Sequence, residues 1–352
     1  MSLKLGSFIP NSQLKLQNAC WVIVTFALIA LIIFLAGASP LQVVTSLWNG
    51  AFGTPDQTAR VFATLAPLLL CASGLIFTFT AGLYNLGIEG QITVGAIATT
   101  FALRILQESL PASLVITSGI IAGITGGVAW GLLAGILNVY GKVNEIFAGL
   151  GLNFVAQGLA LYLVFGPWKR PGIASMSGTE LFDESLWLPT LGNTEATPIA
   201  LILAGLGLIL TVTVLRGTYF GLQLRAVGQN PRAAYILGIP ALRQLLNAFG
   251  ICGALAGIAG ALQVVGVFHR LIPNISSNLG FLALLVVMLA GSSILWIFPI
   301  SLFFSALNIG SLQLPLSLNL ESSLAGVIQG TLVLCVLLGR GLSKQPKLNP
   351  KT

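Results

Sequence analysis

Residues able to do chemistry are few, and most of them fall in three short stretches. Glu89 and Glu145 are the chief acids beside apolar sequence, where a charge is costly and usually functional or paired. Glu89 belongs to Ala81-Gly-Leu-Tyr-Asn-Leu-Gly-Ile-Glu-Gly-Gln91, in which Gly82, Gly87 and Gly90 permit non-helical backbone. A membrane tolerates such backbone only where protein or a water-filled cavity covers it. Asn85, Gly87, Glu89 and Gln91 therefore suit the wall of a path for a polar solute, or a polar turn at the cytoplasmic face. Asn144, Glu145 and Asn153 carry the same two readings. As ion ligands, Glu89 and Glu145 would fit an ion-coupled secondary transporter, although neither lies in an acidic cluster resembling a proton or sodium relay.

Other chemistries find no material. His269 is the one histidine, so neither a histidine-based triad nor a multi-histidine metal site can be assembled. No Gly-x-x-x-x-Gly-Lys-[Ser/Thr] phosphate loop occurs, so nucleotide hydrolysis by that route would have to come from a partner. No catalytic residue and no metal site is expected. Cys20, Cys71, Cys252 and Cys335 lie singly in apolar sequence and read as small buried hydrophobes.

The third stretch is Arg225-Ala-Val-Gly-Gln-Asn-Pro-Arg-Ala-Ala-Tyr-Ile-Leu-Gly-Ile-Pro240, basic and free of acids. Asn230-Pro231 reads as a helix start, with Asn as cap and Pro at the first helical position. Ala233, Ala234 and Gly238 keep one face small. A short smooth helix with basic flanks suits docking to another protein, or anchorage on anionic headgroups.

The elements that must position these stretches are membrane helices. Only 7% of residues are charged and 56% are hydrophobic, against roughly 25% charged in a soluble domain. Apolar runs of ~20 residues recur along the chain, each enough to cross ~30 Å of hydrocarbon as a helix. An all-α polytopic membrane protein of about ten spans in one membrane domain over 1–352 is expected. The spans fall near 20–38, 61–80, 92–106, 113–138, 145–165, 198–215, 244–266, 279–295, 297–312 and 322–338. Ala36-Gly37-Ala38 resembles a signal-peptidase site, but its apolar run exceeds the ~7–15 residues of a signal core, so an uncleaved first helix is expected. Residues 39–59 read as an interfacial loop, and 166–197, with Trp168 and Trp187, as an external loop. Gly119, Gly123, Gly127, Gly131 and Gly135 form one helical stripe where another backbone can come close. Gly250, Gly253, Gly257 and Gly260 do the same on a later span.

Orientation follows from basic residues. With the N-terminus inside, the inner segments hold Lys4, Lys15, Lys142, Arg216, Arg225, Arg232, Arg243, Arg340, Lys344, Lys347 and Lys351, and of the acids only Glu89 and Glu145. That bias places both termini and residues 216–243 in the cytoplasm. It also accounts for the net charge of +7 without nucleic acid.

The three stretches resemble known motifs. Residues 81–91 are similar to the Ala-Gly-Leu-Phe-Asn-Ile-Gly-x-Glu-Gly-Gln signature of ABC-importer permeases for nucleosides and simple sugars. Leu224 to Ile239 resembles the Leu-Arg-Ala-Val-Gly-x-Asn-Pro-x-Ala-Ala-x-x-x-Gly-Ile loop of the same branched-chain amino acid/ribose/nucleoside superfamily. Asn144-Glu145 with Asn153 is similar to a third family segment. The resemblance implies an ABC importer permease fold, with 225–241 as the cytoplasmic coupling loop. Arg225, Gly228, Asn230, Pro231, Arg232, Ala233, Ala234 and Gly238 would then meet an ATPase. It further implies two ATPase subunits that bind ATP and Mg, and a second permease, with a heterodimer favoured by the Glu-Gly-Gln ending. An extracytoplasmic binding protein or lipoprotein would deliver a nucleoside or sugar-like solute near 166–197, in the bacterial cytoplasmic membrane. Ribose-like sugars or branched-chain amino acids are the nearest alternative cargo. Two positions depart from the pattern: Thr80 stands where many relatives carry Arg, and Arg232 where they often carry an acid.

Overall fold

The structure is a computed structural model describing residues 11–170, 177–192, 194–291 and 293–344, except the side chains of 11–20, 343 and 344. Lys4, Lys347, Lys351 and the side chains of Lys15, Lys344 and Cys20 thus lie outside the described residues. In chain order the helices are α1 (Asn11–Leu35), α2 (Pro40–Phe52), α3 (Pro55–Thr80), α4 (Ile88–Leu106), α5 (Ala112–Val139), α6 (Glu145–Phe165), α7 (Pro198–Gly217) and α8 (Tyr219–Gln229). They continue with α9 (Pro231–Ile236), α10 (Ala241–Leu262), α11 (Leu279–Ala290), α12 (Ile297–Gly310), α13 (Leu314–Leu318) and α14 (Leu324–Lys344). A π-helical turn, Gln263–Phe268, extends α10. Among the described residues no strand occurs, as the all-α expectation requires.

Among the described residues seven helical runs are long and apolar enough to cross a membrane, one of them the run Ile294–Leu318 through α12 and α13, or eight if the pair Trp21–Leu35 and Pro40–Phe52, bent by 93°, is one span. All ten expected segments are helical, yet two fall short of that standard. α4 carries Glu89 and Arg104 among its threonines, and α11 has only 12 residues before Gly291 turns the chain at φ 63°. The expected loop at 39–59 is corrected too: α2 occupies most of it. α3 starts at Pro55, earlier than expected, because Thr54 and Gln57 form a reciprocal capping box at 3.2 and 3.1 Å.

The chain divides into two compact units. The smaller joins 1–53 to 306–352. Its core gathers Ile33 of α1, Val43 and Leu47 of α2, Leu307 of α12, Leu314 of α13, and Leu324 and Ile328 of α14. Gly310 lets α12 close on α2: a Cβ there would stand 2.4 Å from the Leu47 carbonyl oxygen.

The larger unit, 54–305, is built around α3, α4, α5 and α10. α3 is its most enclosed span, 83% of its apolar window being buried, against 28% for α5, α6 and α7. The glycine stripe of α5 finds its partner on α10, where Gly123 and Gly127 pack backbone to backbone with Gly257 and Gly253. Small residues at such crossings let dispersion forces hold helices together where lipid removes the hydrophobic drive. The outer face of α7 exposes Ile202, Leu206 and Ile209, apolar side chains suited to hydrocarbon. Within 166–197 the described residues are irregular apart from a short turn, Glu184–Leu186. Part of this stretch lies along the end of α10, with Leu188 N–H donating to Val265 and Phe182 N–H to His269.

Candidate functional site at the meeting of three motifs

The three stretches singled out in the sequence are brought together by the fold. After α3 the chain turns at Gly82, whose φ of 80° is left-handed, and re-enters the bundle. Gly82 and Thr80 lie against Gly228 of α8, where a Cβ would sit 2.0 Å from the Thr80 carbonyl oxygen. The Thr80 hydroxyl itself donates to the Ile76 carbonyl at 2.6 Å. On the other side Gly87 packs on Gly149 of α6, each within 3.1 Å of where the other's Cβ would be. Only residues without side chains allow these contacts.

Polar groups complete the junction. Asn153 Oδ1 accepts from Gly90 N–H and its Nδ2 donates to the Leu86 carbonyl, both at 2.8 Å. Two backbone groups that the broken helix leaves open are thereby satisfied. Asn85 and Gln91 are fully buried and pair through their amides at 3.4 Å, while Asn85 Nδ2 also reaches Cys252 Sγ at 3.2 Å. Glu89, 8% exposed, accepts from Gly280 N–H at 2.7 Å. Asn144 is exposed and caps α6 by accepting from Ile146 N–H at 3.0 Å; Glu145 is half-buried in the same first turn. Asn85, Gly87, Glu89, Gln91 and Asn153 therefore form one buried cluster, with Asn144 and Glu145 a turn or more away along α6. Asn153→Ala should leave a buried N–H and a buried carbonyl unsatisfied. At about 1–3 kcal/mol each, it should lower the midpoint of thermal unfolding in detergent well beyond any change from Asn144→Ala.

The loop 225–241 is more helical than a loop. Arg225 and Gly228 lie in α8, and Arg225 donates to the Gly221 and Leu215 carbonyls, tying α8 to the end of α7. Asn230 Oδ1 then accepts from Arg232 and Ala233 N–H, both at 3.1 Å, with Pro231 at the first position of α9. Ala233 is exposed and Ala234 buried, and Gly238 ends the segment at φ 78°. Three large apolar side chains follow each other on its surface, Tyr235, Ile236 and Leu237, at 75%, 83% and 77% exposed. Beside them opens a cleft of about 990 Å³ lined by Tyr140, Arg232, Tyr235, Ile236, Leu242 and Arg243, among other residues, none of them acidic.

Residues 57–337 match the family described as "Branched-chain amino acid transport system / permease component". The chain belongs to that family. The permease is 25% identical over 320 residues to the guanosine ABC transporter permease NupP of Bacillus subtilis, covering 90% of each chain. It is 27% identical over 299 residues to the nucleoside ABC transporter permease NupB of Lactococcus lactis, covering 82% of each. The glucose ABC transporter permease TsgB13 of Haloferax volcanii is 28% identical over 321 residues, 88% of this chain and 82% of that one. This chain is thus a multi-pass permease subunit of the ABC importer class.

Two features escaped the sequence reading. Gln157 lies exposed on α6, between the exposed Gly151 and Gly158, whose absent Cβ positions meet nothing within 4 Å. A glutamine four residues after Asn153 in a mostly apolar span was the available signal. His269 stacks on Trp187 with ring centres 3.9 Å apart and planes at 12°, closing 182–188 over the end of α10. Burial pushes its imidazole below the usual range.

Proposed function

We propose that this permease imports a nucleoside or related sugar-like solute, driven by an ATPase that seats α9. The observation carrying the reading is the surface at α9: three consecutive exposed apolar side chains beside an acid-free, arginine-lined cleft, directly after α8, whose Gly228 packs against the signature turn. Such a patch needs a partner, and the absence of a phosphate loop from the sequence leaves nucleotide hydrolysis to that partner. ATP and Mg belong to two ATPase subunits in this reading, and Arg225, Asn230, Pro231, Arg232, Ala233, Ala234 and Gly238 shape or present the coupling surface. The nucleoside and sugar cargo of the similar permeases supports the solute class.

The solute path runs along the exposed face of α6 that carries Gly151, Gln157 and Gly158. A glutamine facing hydrocarbon is costly, so water or a second permease must cover it; a heterodimer fits the Glu-Gly-Gln ending at Gln91. The buried cluster of Asn85, Gly87, Gln91 and Asn153 holds the wall of that path from behind. Asn144 and Glu145 stand at its cytoplasmic mouth, with both termini on the same side of a bacterial cytoplasmic membrane. A binding protein or lipoprotein docks on the opposite side, near 166–197.

Reconstitution in vesicles with the cognate ATPase and solute-binding protein tests the whole reading. Uptake should require both partners and ATP. Uptake that continues without the ATPase, or that an ionophore abolishes while ATP depletion does not, would replace this reading with an ion-coupled one.

A further inference from the structure

α11 begins deep in the larger unit. The chain leaves α10 at His269, runs back through Leu271 and Ile275, both fully buried, and starts α11 at Leu279, one residue before Gly280 meets Glu89. The depth follows from α10. Asn85, at the turn before α4, touches Cys252, which lies roughly 17 Å along α10 from Ala241 at 1.5 Å per residue. That is about half of a ~30 Å hydrocarbon core. The start of α11 therefore lies at mid-depth, with Leu279 and Gly280 buried and Ser277 and Asn278 exposed just before them.

Every helix start leaves N–H groups without intrahelical partners, and a buried start must find them elsewhere. The local residue does not supply one: Asn278, at the cap position, makes no side-chain cap bond and has a φ of 61°, next to Ser277 at 49°. The acceptor comes from 191 residues away, where Glu89 Oε2 takes the Gly280 N–H at 2.7 Å. The other oxygen of the same carboxyl group, Oε1, is buried and takes no hydrogen bond among the described residues. Negative charge is favoured at a helix N-terminus, the more so out of water. The approach depends on glycine, since a Cβ at Gly280 would lie 2.5 Å from Glu89 Oε2 and 2.9 Å from Glu89 N.

The other side of Glu89 is anchored just as firmly. The adjacent Gly90 N–H is held by Asn153, and the turn before it rests on Gly228, two residues before the cap of α9. Ahead of α11, the return segment is tied at its far end by Leu271 N–H donating to Thr179 Oγ1 at 3.0 Å. One carboxyl group thus joins the α9 end of the unit to the return segment at the opposite end.

We propose that Glu89 is a positioning residue that ties the start of α4 to the start of α11, so that movement imposed on α9 reaches residues 269–278. The mechanical part rests on the importer reading above; the capping part does not. Four forms of the full chain test it: wild type, Glu89→Leu, Glu89→Gln and Gly280→Ala. In the purified chain alone, Glu89→Leu and Gly280→Ala should each speed amide exchange at 279–283 about tenfold or more, with α5 and α10 unchanged. In the assembled transporter both should lower the solute moved per ATP hydrolysed, and the two together should do no more than either alone. Glu89→Gln keeps an acceptor oxygen and should restore most of both signals.

Unchanged exchange at 279–283 would overturn the cap. Faster exchange with an unchanged ratio of solute to ATP would overturn the mechanical tie. A higher half-saturating solute concentration as the sole effect would make Glu89 a solute contact. Loss of folded protein in all three variants would show a folding role only, and also overturn the proposal. If the wild-type assembly fails to couple uptake to ATP, the importer reading falls while the exchange comparison stands.

Discussion

Replacing Gly257 with leucine should leave little folded permease in the membrane. A Cβ at Gly257 would lie 2.2 Å from the Gly123 carbonyl oxygen, and one at Gly127 2.1 Å from that of Gly253. Real Cβ contacts essentially never fall below 3.0 Å. The opposing atoms are main chain within long helices, so no rotamer change relieves the clash; α5 and α10 must part. These two helices make the most extensive pairing in the larger unit, and α4 packs on both. Overpacking a core costs about 1–3 kcal/mol where side chains can adjust, and more where backbone must move. Against a total of ~5–15 kcal/mol, that is enough to empty the native state. Yield of monodisperse protein and its melting temperature in detergent give the readout, with Gly205→Leu on α7 as control, since nothing lies within 4 Å of its Cβ position. A Gly257→Leu protein that melts within a few degrees of wild type would sink this account of the crossing.

Ile236→Glu should abolish ATP-driven uptake and leave the fold intact. Ile236 is 83% exposed, so the chain loses almost no packing when it changes. At a docking surface the same side chain, with Tyr235 and Leu237, would be covered. Truncating a central contact typically costs ~2 kcal/mol or more, and a buried carboxylate adds a desolvation penalty. Two kilocalories correspond to roughly thirtyfold in affinity. Co-purification of the ATPase should therefore fall at least that far, with uptake following it and the melting temperature unmoved. Gly238→Trp probes the same surface less cleanly, because its φ of 78° strains any side chain. Normal uptake by the Ile236→Glu protein would remove α9 from the coupling role.

Part of the site was readable before any fold. Asn230-Pro231 predicts a helix start because capping is a local property, and Asn230 caps α9. The glycines of α5 announce a close-packing face through their four-residue spacing. Their partner could not be read, since Gly253 and Gly257 lie more than a hundred residues on and several glycine-rich spans compete. The expected span over 279–295 is a helix of only 12 residues, α11, for a related reason. Hydropathy counts apolar residues and cannot tell a full crossing from a buried helix of 12 residues that begins at mid-depth.

Glu89 marks the boundary most clearly. Composition and the length of the apolar runs set the all-helical membrane class, because bilayers admit only helices and closed barrels and runs of ~20 residues fit helices. Sequence flagged Glu89 as costly, and left it as solute contact, ion ligand or surface turn. Only the tertiary structure could choose its neighbour, because the Gly280 N–H it accepts belongs to a helix end that exists only after α11 has folded back against α4. Residue types and local spacing report which groups must be satisfied; the packing of distant helices decides what satisfies them.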